Sequence, residues 1–344
     1  MKSESISTAG ILVVTLMLLL SPCAYATTIY VANNGQDTST CGPTGEVPCR
    51  SITKGLRHAA NLDLIIVGPG KYGDLNGDGI LGNSPGEEVP TANCSCMLAL
   101  NKSVTLVSSD GAAATVIDAR TVDVFNNVAV TIHGAIFGKP GLGFTVTETK
   151  AATTNCFGID LGSAEGVTIE GNLVAASHFC TGEGITADAI NPGKGLVRDN
   201  QVIGWETGIN VGPNIVSLNA VQLNELGING TGAAVKGNVV TGNQIGIAAN
   251  NSGASVTGNA VRGNGTGILV DSFDGTIPKV ESNNIFGNSG CGVEFNVANV
   301  HADNNYWGRA TGPLPAYICG GDVGTAIVKP FATKPFGIKA PVNP

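Results

Sequence analysis

The sequence predicts an all-β solenoid, a right-handed parallel β-helix with a short N-terminal capping helix, and three observations point there. One phrase recurs through the second half of the chain: Val, two residues, Asn, seven residues, Gly-Ile. It sets Asn200, Asn219, Asn238, Asn259 and Asn283 at steps of 19, 19, 21 and 24 residues. A unit that short cannot enclose an apolar interior alone and must bury its face against the next copy. The stretches between, such as Ala233-Ala234-Val235 and Gly246-Ile247-Ala248, are short and carry the period-two pattern of strands. Finally, 49 glycines and only 13% charged residues accompany 42% hydrophobic residues, the composition of an ordered chain rich in tight bends. Gly and Asn between the strands are expected to supply positive φ at those bends. The five repeated asparagines are expected to stack as an amide ladder, each bonding its neighbours above and below.

Taken in order, residues 1–26 read as a signal peptide. Ile11 to Leu20 is apolar, and Ala24-Tyr25-Ala26 is a small-x-small cleavage pattern. The apolar run is about half of the roughly 20 residues that cross a bilayer, so no stable membrane anchor is expected. Pro22 stands where lipidation of Cys23 would need a small residue. Cleavage leaves an even set of cysteines, Cys41, Cys49, Cys94, Cys96, Cys156, Cys180, Cys291 and Cys319, which in an exported chain predicts disulfides. Cys156–Cys180 and Cys291–Cys319 each span about one coil. Cys94 and Cys96 face one side of an extended chain and are expected to reach Cys41 and Cys49, although the count allows many other pairings.

Residues 27–102 form the N-terminal cap and first strands. Ser51 to Ala60 fits an amphipathic helix capped by Ser51, with Ile52, Leu56 and Ala59 or Ala60 on one face. Asp74-Leu75-Asn76-Gly77-Asp78-Gly79 opens like an EF-hand loop, with oxygen ligands at the first, third and fifth positions and then the turn glycine. The twelfth position is Pro85, so Glu87 and Glu88 would have to complete the set. A structural Ca²⁺ on Asp74, Asn76, Asp78, Glu87 and Glu88 is the one cofactor the sequence points to; a plain Gly/Asp-rich turn is the alternative.

Residues 103–329 carry the coils. Ser103 to Val107, Ala114 to Asp118, Val128 to Ile132 and Gly166 to Glu170 read as strands, and 138–157 as an excursion between coils. An open stack exposes strand edges at both ends. The helix is expected to cover the first end, and the Pro-rich tail 330–344 to run along or off the other.

Several stretches resemble a known family. Ile29-Tyr30-Val31-Ala32, then Pro48-Cys49-Arg50-Ser51-Ile52, then Ile65-Ile66-Val67-Gly68-Pro69-Gly70-Lys71-Tyr72 resemble the start of secreted pectate-lyase-like right-handed β-helix proteins. The Asn/Gly-Ile coils resemble the repeats of that superfamily, including periplasmic NosD-like proteins. Asn304-Asn305-Tyr306-Trp307-Gly308 with Gly312-Pro313 resembles its C-terminal NxWG…GP ending. The resemblance covers most of residues 28–335. It implies the fold, and it implies polysaccharide as substrate or ligand. It implies no single activity, because the superfamily holds lyases, hydrolases, epimerases and adhesins. The phrases that mark its lyases (WIDH, RxPxxR), polygalacturonases (NTD, GHG, RIK) and alginate epimerases (DPHD) are absent here.

A net charge of −8 without clustered Lys and Arg excludes nucleic acid as a partner. The residues following Gly-Ile or its equivalent, Asp160, Thr186, Asn210, Asn229, Ala248, Leu269 and Glu294, should point outward. So should those following Val: Arg198, Ser217, Lys236, Thr257, Glu281 and His301. Neither column holds a clustered acid–base pair. The densest titratable stretch, His178, Glu183, Asp188, Lys194 and Arg198, supplies the candidates for proton abstraction, which needs a base and a charge stabiliser within reach of substrate. The expectation is a secreted or periplasmic β-helix that binds extracellular polysaccharide without catalysis. A polysaccharide lyase with an unrecognised site and a structural or adhesive solenoid are the alternatives. The sequence leaves the oligomeric state open.

Overall fold

The computed structural model describes residues 26–339 apart from 91–95, 125–126, 151–155, 163–165, 188–194, 252, 273–276, 298–299 and 321–324; for 178–180 it describes the backbone only. Every pairing between named strands is parallel, as coils stacked along one axis require. Among the described residues, one twelve-stranded sheet forms the first face, from Thr28–Val31 and Leu64–Val67 through Thr105–Ser108 to Ala326–Ile327. A seventeen-stranded sheet folds into two rows, the second and third faces. Leu173–Ala187 and Gln201–Val211 are long enough to run round the corner and belong to both rows. Together these make a right-handed parallel β-helix.

The interior is built from columns of one residue per coil. On the second face Tyr72, Ile117, Val146, Val174, Val202, Val221, Val240, Val261 and Ile285 are fully buried. On the third, Ile159, Ile185, Ile209, Ile228, Ile247, Ile268 and Val293 do the same. Burial of a Val or Ile side chain stabilises by about 1.5–3 kcal/mol, so each coil contributes the same apolar increment to a shared core. Residues 138–150 are not an excursion. Thr145–Thr147 is a strand whose Val146 stands in the inward column between Ile117 and Val174, with Phe144 buried beside it.

The corners are made differently from expectation. The ladder asparagines do not take positive φ; the residue before each does, Asp199 (54°), Leu218 (58°), Gly237 (69°), Gly258 (66°) and Ser282 (58°). This leaves each carboxamide free to bond along the stack. Asn219 donates both its backbone N–H (2.9 Å) and its side-chain N–H (3.0 Å) to Asn238 Oδ1, and Asn238 does the same to Asn259 Oδ1 (2.8 and 3.0 Å). The series runs from Asn172 through Asn200 to Asn283 and ends on Asn305. The glycine of each Gly-Ile pair is likewise not a bend. A Cβ on Gly227, Gly246 or Gly267 would lie 2.4–2.5 Å from the carbonyl oxygen of the matching glycine in the next coil, closer than any side chain can sit.

At the N-terminal end helix α1, Ile52–His58, lies across the stack with Ile52 and Leu56 buried. Ser51 Oγ accepts from the Lys54 N–H (3.2 Å), as its capping position predicts. The fully buried Glu88 carboxylate adds to this cap, accepting from the Ile52 and Thr53 N–H groups (2.7 Å each) and from the Thr53 hydroxyl. Lys102 Nζ closes the other end on the Leu56 (2.7 Å) and Ala59 (2.6 Å) carbonyls. Cys41 is bonded to Cys49 under the helix, both fully buried with Cα atoms 4.9 Å apart. The expected reach of Cys94 and Cys96 to these two is therefore corrected: the short loop between Cys41 and Cys49 already brings them together. Cys291, just before the strand Val293–Phe295, is bonded to Cys319 on the neighbouring strand Ile318–Gly320. Cys96 and Cys156 are also disulfide-bonded, while Cys94 and the Cys180 side chain lie outside the described residues. At the far end the Pro-rich tail closes the last coil. Asn304 donates to the Pro330 carbonyl, and Asn284 exchanges two hydrogen bonds with the backbone of Phe336.

Candidate functional site

The titratable stretch singled out in the sequence does not converge where it can be followed. Glu183 projects from the third face, where it accepts from Asn210 Nδ2 (2.6 Å). Arg198 projects from the first face and pairs with Glu170 (2.6 Å). A single coil visits every face, so side chains a dozen residues apart point away from each other across the core. Asp188, Lys194 and the His178 side chain lie outside the described residues.

The EF-hand-like loop does not gather its proposed ligands: among the described residues the carboxylates of Asp74, Asp78 and Glu87 do not come within 4.8 Å of one another as a group, and each is turned onto the loop's own backbone. Asp74 is buried and accepts from the Gly77 (2.8 Å) and Gly79 (2.7 Å) N–H groups. Asn76 Oδ1 accepts from Asp78 N–H (2.9 Å), and Asp78 Oδ1 from Ile80 N–H (2.8 Å). Glu87 folds back on the Asn76, Asn83 and Ser84 N–H groups. Glu88 does not join them; it is the buried cap of α1, and desolvation raises its carboxyl above the ordinary value despite those bonds.

A charged cluster that sequence reading missed lies at the corner between the second and third faces. Asp118, almost fully buried, ends the strand Thr115–Asp118. Its Oδ1 accepts from Arg120 Nε (2.8 Å) and its Oδ2 from Arg120 Nη2 (2.7 Å), with Lys71 Nζ 3.2 Å from Oδ2. One coil further, Glu148 Oε1 accepts from the Ser177 N–H (3.0 Å) and hydroxyl. Burial pushes the Asp118 carboxyl up, but the bonds to Arg120 and then Lys71 outweigh it and hold the group well below the usual carboxylate range. A carboxylate so engaged is a poor proton acceptor. Lys71 and Arg120 are half-exposed. The signal that would have found the cluster is register: Gly73, Asp118 and Thr147 occupy matching positions on stacked strands.

The depressed Asp118 pKa sets a pH dependence. Its stabilisation is complete above the unfolded value of about 3.9 and fades as pH falls through the lower folded value. In thermal melts Asp118→Asn is therefore expected to be less stable than the parent by about 1 kcal/mol at neutral pH, a modest figure because both cations are half-solvated. The gap should close as pH drops below 4; a gap that stays constant with pH would exclude this origin.

A second array runs outward along the third face. Asn210 Nδ2 bonds Glu183, Asn229 Nδ2 bonds Asn210 Oδ1 (3.0 Å), and Asn250 Nδ2 bonds Asn229 Oδ1 (2.7 Å). These amides are half-buried, and Thr186, Thr207 and Thr231 stand on the same strands. Each amide has two donors and two acceptor lone pairs, so the bonds along the array leave hydrogen-bonding capacity on every coil.

Parallel coils, internal amide ladders and capped ends define a pectate-lyase-like solenoid of the right-handed β-helix class. Residues 96–322 match the model of the family described as "Periplasmic copper-binding protein (NosD)", and the chain belongs to that family. The protein is secreted or periplasmic. No curated protein matches it. Similar solved structures include the GH136 lacto-N-biosidase from Eubacterium ramulus (11% identity, TM-score 0.48, 89% of this chain and 68% of that one). Pectate lyase Pel9A (13%, 0.41, 90% and 80%) and a rhamnogalacturonan lyase (14%, 0.38, 80% and 74%) are also similar.

Proposed function

We propose that this protein binds extracellular polysaccharide on its third face and does so without catalysis. The observation that carries the reading is the outward amide array, Asn210, Asn229 and Asn250 with Glu183. It offers donors and acceptors side by side, one set per coil, at the strand spacing of about 4.8 Å. Asn210 and Asn229 are in register, and Glu183 and Asn250 extend the array one coil to either side from displaced positions, so a chain of hydroxyl-bearing sugars laid across these four coils meets a donor or acceptor on each. Catalysis finds less support, since Asp118, the buried carboxylate of the charged cluster, is engaged by two cations.

Copper, named in the family's description, does not fit the donors described here. Copper sites draw on thiolate, thioether and imidazole ligands. Cys41, Cys49, Cys96, Cys156, Cys291 and Cys319 are all in disulfides, and Met97 is fully buried in the core. Among the described residues, the one group of three such atoms within 4.8 Å of one another is Cys41, Cys49 and His58, and its two sulfurs are bonded to each other.

The test is a pull-down of the mature protein on a panel of polysaccharides, with ultraviolet absorbance followed for the unsaturated uronide that a lyase would release. Binding without turnover is expected, weakened about fivefold by Asn229→Ala through loss of about 1 kcal/mol of hydrogen bonding. Growing absorbance would overturn the non-catalytic reading. Absence of binding to every polymer would leave a structural solenoid as the better account.

A further inference from the structure

We infer that the C-terminal end of the stack holds a separate pocket for a carboxylate-bearing sugar, a uronate unit of an acidic polysaccharide. The inference rests on the polysaccharide reading above and adds to it the charge of the sugar and a second place of contact. A cavity of about 260 Å³ opens between Phe286, Trp307, Arg309, Leu314 and Tyr317. Aromatic side chains are scarce in this chain, 5% of its residues, yet three line this cavity and a fourth, Tyr306, packs against one of them. Phe286 lies edge-on to Tyr306 (centroids 6.1 Å apart) and Trp307 edge-on to Tyr317 (6.4 Å). Tyr317 is fixed from behind, its hydroxyl accepting from the Asn288 N–H (2.9 Å) and Nδ2 (3.2 Å). The partly exposed rings of Phe286 and Tyr317, with Trp307 packed against Tyr317, form an apolar wall of the kind against which the C–H face of a pyranose packs.

Two further features give the occupant its charge. The Arg309 guanidinium is exposed on the pocket's lining, and Arg262, also exposed, is in register with Phe286 one coil away. Neither forms an ion pair among the described residues, in a chain whose net charge is −8. Arginine's planar fork of donors matches a carboxylate. The Trp307 indole is almost completely buried, and its Nε1–H donates to no acceptor among the described residues.

Fluorescence gives a local readout. The chain has two tryptophans, and Trp205 is fully enclosed, so a ligand-induced change in emission reports Trp307. The mature protein would be titrated with a short oligogalacturonate and with its methyl-esterified, uncharged form. The acid form is expected to change the emission, and the ester to bind about tenfold more weakly. Arg309→Gln should weaken the acid form about tenfold, and Phe286→Ala should weaken both forms. Arg309 is exposed, so its variant keeps the fold, and circular dichroism checks Phe286→Ala. Equal affinity for the two forms, or an Arg309→Gln variant that binds as the parent does, would overturn the pocket while leaving polymer pull-down intact. No emission change together with no pull-down of any polymer would remove both readings at once.

Discussion

Asn238→Ala is expected to destabilise the protein by about 3–5 kcal/mol, more than any exposed substitution. The Asn238 carboxamide oxygen accepts two bonds from Asn219, one from its backbone (2.9 Å) and one from its side chain (3.0 Å). Its amide nitrogen donates to the Val216 carbonyl and to Asn259 Oδ1, at 3.0 Å each. All these groups are buried, so truncation leaves donors and acceptors that water cannot reach, at about 1–3 kcal/mol each before partial relaxation. Chemical denaturation of the variant beside Asn229→Ala separates the two kinds of array. The outward array should lose no more than about 1 kcal/mol, because solvent replaces the missing bonds. Equal losses at both positions would mean that the internal ladder is not what holds the corner.

Trp205→Ala is expected to cost a similar amount, about 3–5 kcal/mol, for a different reason. Trp205 is the largest fully buried side chain and donates from Nε1 to the Val174 carbonyl (3.2 Å). Gly158 and Gly184 make room for it: a Cβ on either would meet the indole at 3.3 and 3.0 Å. Truncation therefore empties a space that rigid stacked strands cannot collapse into. Trp205→Phe should keep most of the packing and lose the hydrogen bond, for about 1 kcal/mol. The same denaturation series measures both. A Trp205→Ala variant within 1 kcal/mol of the parent would show that the coils close over the gap.

Trp205 also explains what was and was not legible in the sequence. The first amide ladder could be read because its chemistry demands one residue type at one place, and Asn200 to Asn283 repeat it with near-constant spacing. A second ladder, Asn224, Asn243, Asn264 and Asn288, stands five residues after members of the first and turns the corner between the second and third faces. Its signal was in view. It was masked because the expected fifth position after Asn200 is Trp205, whose backbone N–H donates to Asn224 Oδ1 (2.9 Å) in the ladder's place. The outward direction of Asn210 and Asn229 followed from alternation alone. The Lys71–Asp118–Arg120 cluster did not, because its members meet only through the stacking of irregular early coils. Chain proximity failed for Glu183 and Arg198 for the converse reason: within one coil, neighbours in sequence serve opposite walls.

The ladders repeat one bonding pattern at every coil, and the coils differ in length only at their corners. Asn219 meets Asn238 just as Asn200 meets Asn219, so a chain lacking residues 219–237 would present Asn200 with an equivalent partner. Gene-level duplication or loss of a whole unit would then lengthen or shorten the rod by about 4.8 Å without creating a new junction. The reach of this protein along a surface is in that sense a copy number, adjustable in evolution independently of the two capped ends.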